Sequence, residues 1–196
     1  GRKGKSASAI STAVAAITKN VSIRAGSVVV PLHHAARIAE AWAMVDNLSN
    51  GRVAIAAASG WAPTDFLLMP ENYGRAKQVM FENLEIIQRL WAGEQVAFPG
   101  ATGESVSIGT LPRPVQKRLP VWITTAGNLE TYVQAGEIGA NLLTHLLGQS
   151  VEELAPKIKA YRKARAEHGH DPASGQVTLM LHTFVGEDEA AVRAAV

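Results

Sequence analysis

The sequence contains no cysteine, which removes disulfides, thiolate metal ligands and a cysteine nucleophile together. Long hydrophobic runs are also missing. The apolar stretches Ala25 to Leu32 and Val53 to Ala58 fall far short of the roughly 20 residues that a membrane helix needs. The start has no signal-peptide core, so a cytoplasmic protein without a membrane partner is expected. Charge of one sign is scarce: 19 basic residues against 17 acidic ones leave a net charge of +2, too little for an electrostatic footprint on nucleic acid. What is abundant is apolar material. At 47% hydrophobic and 18% charged, the 196 residues can build one sizeable core, and a single domain over residues 1–196 is expected.

Along the chain, β-branched runs alternate with stretches of helical period. Val21 to Val30 reads as a strand ending at Pro31, and Ile38, Ala41, Trp42 and Val45 then recur on one helix face. Asn50-Gly51 stops that helix, and Arg52 to Ala58 is a second strand. The clearest helix spans about Asn72 to Ala92, where Val79, Met80, Asn83, Leu84, Ile87, Leu90 and Trp91 repeat around one side. The rhythm continues with a strand at Pro120 to Thr125, a helix at Leu129 to Ile138, a strand at Asn141 to Leu146 and a helix at Ser150 to His168. Ser150 and Glu153 make a capping box, whereas Pro156 predicts a kink or a delayed start. A strand at Gln176 to Val185 and a helix from Glu187 close the series. Residues 93–119, with Pro112 and Pro114, interrupt it as a small hairpin.

Strands that are continuous apolar runs, each followed by a helix, predict a parallel sheet covered on both faces, either an open doubly wound sheet or a closed barrel. About five strand-helix units are present, and both ends look cut. Ser6 to Lys19 is a helix with no strand before it, so the expectation is part of a longer polypeptide.

In parallel α/β folds the site lies at the strand C-termini. Here those positions hold Ser27, then Ser59-Gly60-Trp61, then Thr124 to Asn128, then Thr144-His145, then His182-Thr183. The turn Ala126-Gly127-Asn128 runs into a helix, leaving backbone amides and a dipole end for a phosphate; the alternative is a plain N-cap at Asn128. Ser59-Gly60-Trp61 would suit a flat ligand, or simply hold a core tryptophan beside a tight turn. Tyr73 and Arg75 would stand in the first turn of the following helix. His33, His34 and His145 could move protons near neutral pH, or be hydrogen-bonded structural residues. His168-Gly169-His170-Asp171 looks like a metal tract only by composition, and no metal is expected. Gly1 to Ser6 mimics a phosphate-binding loop but has the wrong glycine spacing and no strand before it.

The segments Ala25-Gly-Ser-Val-Val-Val-Pro-Leu-His-His34, Ala39 to Arg52, Ser59-Gly-Trp61, Pro70-Glu-Asn-Tyr73, Thr110 to Gln116, Pro120 to Asn128 and Gly139 to Gly148 together resemble the luciferase-like flavin monooxygenases, in particular the group embedded in peptide-synthetase and polyketide assembly lines. That resemblance implies a TIM-type (β/α)8 barrel of the bacterial-luciferase kind, here incomplete, without its first two strands and its last. It implies reduced FMN as cosubstrate, delivered by a flavin reductase and activating oxygen to oxidise or hydroxylate an organic substrate, one carried on an acyl or peptidyl carrier protein among the options, with a homodimer as the assembly. A deazaflavin-dependent oxidoreductase and a non-catalytic barrel fragment are the alternatives. The resemblance places Ala126, Gly127 and Asn128 near the FMN phosphate and Ser27, Ser59, Gly60 and Trp61 along the flavin, with Thr144 also among the cofactor-binding residues. Tyr73 and Arg75 fall at the phosphate side or the mouth, and His33, His34 and His145 near the reacting oxygen. The chain departs from the family pattern at Ala35, where a proline commonly follows the second histidine, and at Ala62, where a histidine commonly follows Ser-Gly-Trp.

Overall fold

Residues 6–195 are described by a computed structural model of the chain. They divide into two compact units, the first ending at Thr124 and the second beginning at Thr125. The phosphate-loop mimic lies outside the described residues except for Ser6, whose hydroxyl caps the first helix by accepting from Ala9 N.

The first unit contains, in order, α1 (Ala7–Ile17), β1 (Ile23–Val29), α2 (Ala35–Ser49), β2 (Val53–Ala58), α3 (Ala76–Ala92), the antiparallel hairpin β3 (Val96–Pro99) and β4 (Ser105–Ile108), and β5 (Val121–Thr124). Strand β2 is central and parallel to both β1 and β5. In-register pairing divides the residues by face. Ile23, Ala25, Val28, Val53, Ile55, Ala57 and Ile123 share one buried face. Arg24, Gly26, Ala54, Ala56, Ala58, Trp122 and Thr124 share the other, where the Arg24 guanidinium lies 4.4 Å over the Trp122 ring. A bulge between Gly26 and Val28 inserts Ser27 into β1 without changing the phase of the residues around it.

Helix α3 begins at Ala76, not near Asn72, because Pro63–Leu68 and Pro70–Arg75 form two 3₁₀ segments ahead of it. Each starts with a proline, whose missing N–H and fixed φ suit a first turn. Val79, Met80, Leu84, Ile87, Leu90 and Trp91 are buried along its inner face as the period predicts. The segment after the hairpin ties this unit together from below. Arg113 donates to the Leu90 and Trp91 carbonyls at the end of α3. Gln116 receives Trp91 Nε1 on its carbonyl, donates to Val53 O, and meets the fully buried Asp46 through both its backbone and its side-chain N–H.

The second unit contains α4 (Leu129–Glu137), β6 (Asn141–His145), α5 (Val151–Glu167), β7 (Val177–Met180) and α6 (Glu189–Ala195), with β6 and β7 parallel. The expected strand over 176–185 stops at Met180 because β6 ends at His145, the partner of Met180 in the register. The capping box forms, with Ser150 Oγ accepting from Glu153 N at 3.2 Å and Glu153 Oε2 from Ser150 N at 2.8 Å. The start is not delayed by Pro156: α5 begins at Val151 and runs unbroken through the proline. Pro156 faces solvent, where water can satisfy the carbonyl that its missing N–H leaves free. Gly136 lets α4 and α5 approach closely, since a Cβ there would sit 2.5 Å from the Tyr161 carbonyl. Beside it Tyr161 is buried and its hydroxyl donates to Ala140 O at 2.7 Å; burial pushes its phenol up from the ordinary range, which keeps it a donor.

Candidate active site

The strand ends of the first unit bring a hydroxyl pair together. The bulge aims Ser27 at the face carrying Thr124, and the two Oγ atoms lie 2.7 Å apart, half buried. On the same face Gly26, Ala54 and Ala56 extend no side chain beyond Cβ, while Arg24 and Trp122 stack beside them. Thr124, one of the strand-end positions expected from the sequence, lies two residues beyond Trp122 and on the same face.

At the end of β2, Ser59 makes only a long contact to Gly60 O. Gly60 has φ +82°, and a Cβ there would come to 3.0 Å from both Phe66 and Val29. Gly60→Ala is therefore expected to destabilise the unit by about 1–3 kcal/mol, seen as a lower urea midpoint; an unchanged midpoint would show that the turn is laid out otherwise. The core-tryptophan alternative for Trp61 is overturned: its side chain is 89% exposed, with the turn directing it outward. Tyr73 packs edge-on against Phe66 at 5.3 Å and is half exposed. Arg75 stands in a 3₁₀ segment, not in the first turn of an α-helix, and pairs with Glu82 at 3.0 Å on the surface.

His34 is the N-cap of α2. Its Nδ1 accepts from Ala36 N at 3.3 Å and its ring lies 4.8 Å from Phe98 of the hairpin. That nitrogen is thus occupied by a structural bond. His33 is exposed, and its backbone N–H closes the turn onto Val30 O.

In the second unit, the turn ahead of α4 matches the anion-binding pattern. The Ala126, Gly127 and Asn128 amides have no acceptor among the described residues, and a Cβ at Gly127 would meet nothing within 4 Å. Asn128 also caps the helix, its Oδ1 accepting from Thr131 N at 3.1 Å, so the cap and the open amides coexist. Glu130 in the first turn opposes an anion electrostatically. Thr144 is fully buried and turned toward the helices, where Oγ1 bonds the Tyr132 hydroxyl at 2.9 Å and receives Gln149 Nε2 at 3.2 Å. Tyr132 in turn donates to Ala126 O at 3.0 Å, fixing the turn from behind. The next residue, His145, points to the opposite face with Leu143, Thr178 and Met180. Leu147 N–H donates to its Nδ1 at 3.2 Å. The rings of His168 and His170 each bond a backbone carbonyl, of Ala164 and Glu137, and no cluster of three or more metal-ligating side chains exists among the described residues. Among those residues, too, no helix is long and apolar enough to cross a membrane.

Compared with known proteins, the whole chain, residues 1–196, matches the family model described as luciferase-like monooxygenase. The chain belongs to the luciferase-like monooxygenase family. It is 27% identical over 175 residues to the oxygenase component of the flavin-dependent trigonelline monooxygenase of Acinetobacter baylyi, covering 88% of this chain and 48% of that one. It is 26% identical over 168 residues to the F420-dependent hydroxymycolic acid dehydrogenase of Mycobacterium tuberculosis, covering 83% and 44%. Among solved structures it is similar to the monooxygenase RslO1 of Streptomyces bottropensis, with a TM-score of 0.85, 23% identity, and coverage of 97% of this chain and 58% of that one. At that identity the likeness shows the fold alone, and the α/β fold with parallel strands is that of luciferase-like monooxygenases. This luciferase-like chain spans about half the length of the curated relatives it matches.

Proposed function

We propose that this luciferase-like chain is the flavin-binding part of a monooxygenase that uses reduced FMN and dioxygen to oxidise an organic substrate, on a TIM-type barrel. The observation that carries the cofactor is the acceptor-free run of amides at Ala126, Gly127 and Asn128 before α4, the donor set a phosphate monoester needs. The residues present fit the group. In the first unit one hydroxyl of the Ser27–Thr124 pair donates to the other, which leaves one hydrogen to donate to the edge of a flat ring, and the exposed Trp61 could lie across such a ring. Ser59 and Gly60 follow the neighbouring strand β2, and Tyr73 and Arg75 belong to the proposal as groups of the phosphate side or the mouth.

When bound, reduced FMN supplies the electrons that reduce dioxygen, one oxygen atom passing to the substrate and the other to water. The chain's own residues bind and orient. In the second unit the 126–128 amides would hold a phosphate, and in the first unit the Ser27–Thr124 pair would hold the edge of a ring. With Nδ1 occupied, His145 in its neutral form presents an N–H at Nε2 and can donate to a reacting oxygen. His33 is the second proton-handling candidate, while the cap leaves His34 only Nε2. A flavin reductase is the partner this chemistry needs, and a carrier-bound substrate and a homodimer belong to the same proposal.

Titration of FMN fluorescence with the 196-residue chain is expected to show quenching, with riboflavin binding at least about tenfold more weakly because it lacks the phosphate, a difference of roughly 1.4 kcal/mol. No quenching up to protein concentrations on the order of tens of micromolar, where a Kd of about 1 μM would be saturated, would remove the proposal. The second reading, deazaflavin-dependent hydride transfer, is favoured by the similarity to an F420-dependent dehydrogenase. Oxygen consumption on adding reduced FMN separates the two.

A further inference from the structure

We propose that Gln149 is a positioning residue that locks His145 as a hydrogen-bond donor at Nε2; this rests on reading His145 as a ligand-facing group of a flavin-type oxidoreductase. A neutral imidazole carries one N–H, and the partner of one nitrogen decides which. At His145 the partner of Nδ1 is the Leu147 amide, two residues on, at 3.2 Å. An exposed contact of that length is weak by itself, so something must hold the 145–149 turn in place. Gln149 does so from the buried side. Its Nε2 donates to His145 O at 2.7 Å and to Thr144 Oγ1 at 3.2 Å, using both amide hydrogens. Its Oε1 accepts from Lys157 Nζ at 2.7 Å. The lysine also fixes which way round the amide sits, because a flipped amide would set NH₂ against NH₃⁺ and leave two oxygens facing each other at the other end. Lys157 on α5 therefore orients Gln149, Gln149 pins the His145 carbonyl, and the pinned turn keeps the Leu147 N–H on Nδ1.

The test is nitrogen NMR of the ligand-free chain at about pH 9, above the ordinary imidazole range. In the wild type, His145 is expected to show a protonated Nε2 and an unprotonated Nδ1. In Gln149→Met the ring is expected to exchange between both tautomers, and the Leu147 amide to lose at least about tenfold in exchange protection, the release of a bond worth roughly 1.4 kcal/mol. A single unchanged tautomer in Gln149→Met, or a wild type protonated at Nδ1, overturns the proposal. Should Gln149→Met fail to fold, Lys157→Met, altered at a half-buried position, decides by the same two readouts. Because no cofactor is present, this outcome is independent of the FMN titration: absent flavin binding sinks the functional reading and leaves the tautomer measurement standing.

Discussion

Trp91→Ala is expected to lower the stability of the first unit by about 3–5 kcal/mol, because it removes a fully buried indole and leaves a cavity that helix α3 cannot collapse into. Trp91 is 1% exposed and shares the buried face of α3 with Ile87 and Leu90. Its Nε1 donates to the Gln116 carbonyl at 2.8 Å. Gln116 is the hub that meets Asp46 and Val53, so the loss reaches α2 and β2 as well. Against a typical total of about 5–15 kcal/mol, the variant would lose a large fraction of its stability and unfold under mild conditions. Urea denaturation followed by far-UV circular dichroism measures this. Trp91→Phe narrows the contributions, since it keeps most of the volume while dropping the N–H and part of the ring, at about 1–2 kcal/mol. A midpoint for Trp91→Ala within error of the wild type would show that α3 does not pack by this face.

The second unit has its own keystone in Arg165. The side chain is buried, yet its partners are uncharged: Asp171 O, Ala140 O and Ser174 Oγ at 3.1 Å each, and the Tyr161 hydroxyl at 3.4 Å. A guanidinium suits that role because its planar fork holds five donors in fixed directions. Arg165→Met keeps the apolar stem and strips the donors. It leaves the Asp171 carbonyl with only the Ser174 N–H and hydroxyl and the Ala140 carbonyl with only Tyr161, an expected loss of about 2–3 kcal/mol. Hydrogen exchange should show residues 168–176 opening first, because that loop is what the fork holds. Arg165→Lys is expected to recover less than half, since one ammonium cannot reach all of these acceptors. Retained protection of the loop in Arg165→Met would mean that the hydrogen bonds are not what orders it.

Much of this was legible from the residues. The apolar periods of α2 and α3, the stop at Asn50-Gly51 and the capping box at Ser150 follow from local chemistry, and each is where the sequence places it. What failed had non-local causes. Whether a helix can run through Pro156 depends on whether the orphaned carbonyl is wet, and the end of β7 depends on where β6 stops; neither is written nearby. The histidines divide the same way. Their positions at strand ends are readable, but that Ala36 takes Nδ1 of His34 and Leu147 takes Nδ1 of His145 is decided by backbone geometry. The family-like stretch Thr110 to Gln116 is distinctive in sequence, and in the fold it acts as a mechanical brace, with Arg113 and Gln116 fastening α3, α2 and β2. Tyr132 and Gln149 were overlooked because a helical tyrosine and a loop glutamine look ordinary until their partners are known.

The single inserted residue in β1 separates chemistry from architecture. Gly26 pairs with Ala56 and Val28 with Ala57, so the ladder would run true if position 27 were skipped. Ser27 thus hangs from a strand that has no need of it. Selection could exchange its hydroxyl for another group, and so retune what the neighbouring surface recognises, without shifting one packed side chain of the framework that carries it.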